Sequence, residues 1–74
     1  MNIEQEIIDD VLKRFDESDQ STNYYVVWLN NHYDVKTVKN AIVEFKKQRP
    51  DLQPCFTSFL DVQYGIQISN PKFQ

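Results

Sequence analysis

The chain has 74 residues, a net charge of −3, one cysteine and one histidine, which bounds it to one domain (1–74) with a modest core. Cys55 alone excludes an intrachain disulfide, and with His32 as the only histidine a four-ligand His/Cys zinc cage is excluded too. No run reaches the roughly 18 apolar residues of a membrane span, and the acidic opening MNIEQEIIDD is the reverse of a basic, then apolar, signal peptide, so a cytoplasmic protein is expected, in a cell or a virus-infected cell.

Residues 3–16 predict a helix. Ile3, Ile7, Ile8, Val11, Leu12 and Phe15 recur on one apolar face. Asn2 is placed to cap the first turn, with Gln5 three residues on. Glu4 and Glu6 meet the positive end of the helix dipole. The run DESDQSTN ends the helix, because short polar side chains compete for the backbone and favour turns.

The stretch NYYVVWLNN, residues 23–31, decides the fold class. Five of the six residues in YYVVWL are aromatic or β-branched, which predicts a strand over 23–29. Tyr24, Val26 and Trp28 share one face and Tyr25, Val27 and Leu29 the other, the pattern of a central strand or one covered on both sides. Asn30 and Asn31 then turn the chain toward the next helix. The competing reading notes that Tyr25, Trp28, Leu29 and His32 also fall at helical spacing. That order, α-α-α-β-β, would be a winged helix-turn-helix with the following basic helix in the DNA major groove. Against it, LNNHYDVKTV lacks a short glycine-bearing turn, and so many β-branched and aromatic residues make a poor helix.

Residues 35–48 predict the next helix, capped by Asp34, with Val35, Val38, Ala41, Ile42 and Phe45 buried. Lys46, Lys47 and Arg49 suit its negative end, and Pro50 stops it. CFTSFL, about 55–60, reads as a strand. Over 62–69, Val62, Tyr64, Ile66 and Ile68 alternate with Gln63, Gly65, Gln67 and Ser69, the period of a half-buried strand. Gly65, the only glycine, is read as a bulge or tight bend. The expected architecture is α+β in the order α-β-α-β-β, a three-stranded sheet packed by two amphipathic helices.

Charge is unevenly spread. Residues 1–20 carry seven acids (Glu4, Glu6, Asp9, Asp10, Asp16, Glu17, Asp19) against Lys13 and Arg14, whereas 34–49 carry Lys36, Lys39, Lys46, Lys47 and Arg49 against Asp34 and Glu44. Each cluster has a plain reading as a solvated helix face. The acidic one could also steer the chain onto a basic partner. The basic one, with Asn40, could meet phosphates, although a pI near 4.9 weighs against nucleic acid. Asp9 and Asp10 point in different directions on a helix and make a poor metal site.

No glycine-rich phosphate loop, CxxC pair or HExxH motif is present, and nothing calls for a cofactor. His32 lacks a base partner and a nucleophile and is read as a turn or surface residue. Cys55 is read as a small buried apolar residue. Trp28 is read as core, and Tyr33, between His32 and Asp34, as the exposed aromatic. The expected function is a non-catalytic binding or regulatory protein that occludes or modulates a protein target, of the inhibitor, antitoxin or phage-encoded modulator kind. Its contact residues would be Glu6, Asp9, Asp10, Tyr24 and Tyr33. A homodimer would be seamed along the sheet edge or the first helix. The alternative is a winged-helix DNA-binding regulator working through Lys36, Lys39, Asn40, Lys46, Lys47 and Arg49.

Overall fold

The computed structural model describes residues 2–19, 22–29, 33–60 and 62–71; His32 and the Asn30–Asn31 turn lie outside them. The elements run α1 (Ile3–Glu17), β1 (Tyr24–Trp28), α2 (Val35–Gln48), a 3-10 turn (Pro50–Leu52), β2 (Cys55–Phe59) and β3 (Gln63–Ser69). The α-β-α-β-β order is therefore the architecture of the chain. The winged-helix alternative is overturned, because Tyr24–Trp28 is hydrogen-bonded to a neighbouring strand and not wound into a helix.

Local sequence explains both helices. Asn2 Oδ1 accepts the Gln5 backbone N–H at 3.2 Å, and Asp34 Oδ1 accepts that of Thr37 at 2.7 Å. At the other end of α1, Ser18 returns its hydroxyl and its N–H to the Phe15 carbonyl at 2.6 and 3.1 Å. Arg49 closes α2 on the Phe45 carbonyl. Pro50, at the start of the 3-10 turn, folds the chain back so that Leu52 enters the core fully buried. That last feature carries no periodic signal of its own.

The sheet order is β1-β3-β2, antiparallel throughout. β1 and β2 run parallel to each other with β3 inserted between them, and α2 carries the chain from one edge to the other, a split β-α-β arrangement. β1 is thus an edge strand, not the central one its two apolar faces suggested. β3 is central, because the β2–β3 hairpin delivers it into the gap beside β1.

Both helices lie on one face of the sheet. Ile7, Ile8, Val11 and Phe15 of α1, and Val38, Ala41, Ile42 and Phe45 of α2, pack onto Val27, Ile66 and Ile68, with Leu29 and Leu52 at the margins. Burying each such side chain contributes about 1.5–3 kcal/mol relative to exposure. Gln5 and Gln48, exchanging amide hydrogen bonds of 2.7 and 3.4 Å, tie the start of α1 to the end of α2.

Gly65 departs from expectation. The ladder runs through it without a bulge, pairing it with Trp28 on one side and Thr57 on the other. A Cβ there would stand 2.5 Å from the Val27 carbonyl oxygen and 3.0 Å from the Trp28 ring. Glycine is required by close approach, not by a bend.

Candidate interaction surface

Strand alternation divides the sheet cleanly. Tyr25, Val27, Tyr64, Ile66, Ile68 and Phe56 face the helices; Tyr24, Val26, Trp28, Cys55, Thr57 and Phe59 face away, with Gln63, Gly65, Gln67 and Ser69 of the central strand among them. Among the described residues no element crosses that second face. Tyr24 is 54% exposed and Phe59 57%. Trp28 lies over Gly65 and meets the Phe59 ring edge-on, centroids 6.5 Å apart and planes at 69°. The row Trp28–Gly65–Thr57 therefore holds one large ring spread across a central strand that offers no side chain beneath it.

Beside Phe59, the β2–β3 turn is exposed as well. Leu60 is 77% exposed and Val62 61%, and Val62 N–H closes on the Phe59 carbonyl at 2.9 Å. Leu60 holds φ at 52°, a left-handed conformation that costs a non-glycine residue about 1–2 kcal/mol. The turn thus presents an aliphatic side chain to water on a strained backbone. Val62 belongs to this turn, so the alternating strand begins one residue later than its pattern suggested.

Other expectations change for the same reason. Trp28 is half-buried on the open face and not in the core. Cys55, expected to be buried, is exposed, because its position in β2 turns it away from the helices. Tyr33, expected to be exposed, is half-buried and packs against the core cluster. It immediately precedes Asp34, the N-cap of α2.

The acidic candidates sit in the other layer. Glu6 and Asp9 are exposed on α1, whereas Asp10 is partly covered and receives Arg14 Nε at 3.2 Å. Tyr24 is on the far side of the sheet, so the acids and Tyr24 do not form one flat patch. Among the described residues no three metal-ligating side chains gather. An open hollow lined by Asn2, Ile3, Glu4 and Thr37 sits at the start of α1.

The basic candidates are spread around α2. Lys36, Asn40 and Lys47 fall on its outermost face by helical spacing, and all are exposed. Lys39 and Lys46 share one flank of α2 by helical spacing, and the Lys39 ammonium stands 5.1 Å from the centre of the Phe56 ring of β2. Arg49 is held by Asp51 through contacts of 3.1 and 3.0 Å. That hydrogen-bonded pairing raises the Arg49 pKa and lowers that of Asp51. Asp34 is lowered as well, by hydrogen bonds from the side chain and then the backbone of Thr37.

The geometry defines a two-layer α+β domain with one face of its sheet uncovered, and no helix among the described residues is long and apolar enough to cross a membrane. Comparison with family models, with curated proteins and with solved structures returned no match.

Proposed function

We propose that this chain is a small non-catalytic binding protein that occludes or modulates a protein partner, as inhibitors, antitoxins and phage-encoded modulators do. One observation carries the reading: Tyr24, Val26, Trp28 and Phe59 stand among Gln63, Gln67 and Ser69 on an uncovered sheet face, next to a turn that exposes Leu60 and Val62. Contiguous exposed apolar surface on a small soluble domain marks an interaction site more often than scattered single residues do. Tryptophan and tyrosine are also the residues most often found at binding hot spots. The acidic face of α1, in the opposite layer, would act at a distance, orienting encounter with a target that carries basic groups away from the contact itself.

The test is affinity capture from a cell lysate with and without nuclease, using the chain and its Trp28→Ser, Phe59→Ser double variant. Capture of a protein that survives nuclease and is lost in the variant, with circular dichroism unchanged, is the expected result. Capture that nuclease abolishes, and that reversal of Lys36 and Lys47 also abolishes, would transfer the function to nucleic acid.

A further inference from the structure

The two edges of the sheet are not equivalent, and the difference points to one of them. In an antiparallel ladder, alternate residues turn their N–H and C=O toward the same neighbour. Leu29 N–H bonds to the Tyr64 carbonyl and Asn70 N–H to that of Asn23, both at 2.9 Å. These bonds set the phase: on β1, Tyr25 and Val27 bond to β3, while Tyr24, Val26 and Trp28 present their backbone groups to the outer edge. Two of that edge's outward carbonyls are occupied. Arg14 Nη1 donates to the Trp28 carbonyl at 3.1 Å, and Thr22 Oγ1 donates to the Tyr24 carbonyl at 2.6 Å.

On the opposite side, Cys55, Thr57 and Phe59 bond to β3, so Phe56 and Ser58 present their backbone groups outward. No described side chain hydrogen-bonds to them. β2 also lacks the devices that usually guard an edge: it has no charged residue, no proline and no bulge. Above this edge stands the flank of α2. Lys39 reaches over Phe56, and Lys46 follows seven residues on at the same angle of the helix. Neither lysine forms an ion pair among the described residues.

We propose that the free edge of β2 receives an extended acidic segment of a partner protein, added as a fourth strand under Lys39 and Lys46. This rests on the protein-binding reading and narrows it to one edge and one partner chemistry. The main chain of Phe56 and Ser58 supplies the hydrogen bonds, and the flanking side chains supply selectivity. Acidic residues on the helix side of the incoming strand meet the two ammonium groups. Residues on the other side extend the open face beside Phe59. A second copy of this chain is the wrong occupant, because pairing β2 with β2 about a twofold axis sets one α2 beside the other and brings like-charged lysines together.

The test uses the 15N-labelled chain and an acetylated peptide of about ten residues alternating valine with glutamate, long enough to cover a typical strand, alongside a twin with lysine for glutamate. The expected result is that the acidic peptide shifts the Phe56 and Ser58 amides and slows their exchange. It should bind roughly tenfold more tightly than its twin. Lys39→Glu with Lys46→Glu should reverse the preference. Ser58→Pro, which removes an outward N–H only, should abolish binding while the β1–β3 amides stay in place; if that variant fails to fold, the double reversal carries the test. Equal binding of the two peptides, no binding of either at about 1 mM, shifts confined to Trp28 and β1, or stronger binding of a single-stranded oligonucleotide at the same lysines would each overturn the proposal. Nuclease-resistant capture through Trp28 and Phe59 with no response at Phe56 and Ser58 would remove the edge and leave protein binding standing.

Discussion

Gly65 shows how one residue can set the shape of a whole face. The absent Cβ lets the Val27 carbonyl come close and gives the Trp28 ring a floor of bare backbone. Gly65→Ala should lower stability by about 1–3 kcal/mol, the usual range for overpacking, because the clash is with backbone that cannot swing aside. Chemical denaturation checks this, and the Trp28 fluorescence should shift to the red as the ring lifts into water. Asp34 makes a second case. Hydrogen bonds from Thr37 hold its pKa below the ordinary carboxylate value, so the charged cap contributes fully above that value. The contribution is lost as pH falls through the lowered value, in the region below about pH 4. Asn also caps well but does not titrate there. Thermal melts of Asp34→Asn should therefore match the parent near neutrality and show a shallower loss of stability in acid.

At the scale of elements, the phase of hydrogen bonding along β2 assigns opposite consequences to neighbouring residues. Thr57 gives its N–H to β3, and Ser58 turns its own outward. Thr57→Pro should break the ladder and unfold the chain. Ser58→Pro should leave the melting temperature within a few degrees of the parent, since edge positions with an outward N–H tolerate proline. Thermal melts of the two variants, side by side, check the assignment directly. The helices make a different point. The stripes of α1 and α2 were legible as periodic apolar positions, and so were their caps at Asn2 and Asp34, because both depend on contacts within a few residues. The burial of Tyr33, the exposure of Cys55 and the turn position of Val62 were not legible, because each depends on which way a neighbouring strand faces.

For the whole molecule, the contrast between an edge with two occupied carbonyls and one with none among the described residues has consequences for association. Arg14 and Thr22 occupy the carbonyl groups of Trp28 and Tyr24 that another strand would otherwise use. The uncharged sequence YYVVW is a segment that pairs readily with copies of itself once its edge is free. Arg14→Ala with Thr22→Val should therefore raise self-association, seen as a concentration-dependent increase in sedimentation coefficient, with little change in circular dichroism. The half-exposed pair Arg14–Asp10 would contribute little to stability in its own right. On this account the arginine matters chiefly for what it covers.

The sequence by itself determined the elements and their kinds: two amphipathic helices with their caps, an apolar β-branched run and an alternating strand, each specified by neighbours within one or two turns of chain. It also placed the acidic and basic clusters on separate helices. Only the tertiary structure decided that β1 lies at an edge, that Trp28 and Cys55 face away from the core, and that β2 is left open beneath two lysines. Those outcomes depend on strand order and hydrogen-bond phase, which arise when residues some 40 positions apart pair, as Tyr24 does with Ser69, and a local pattern carries no record of which partner it will meet.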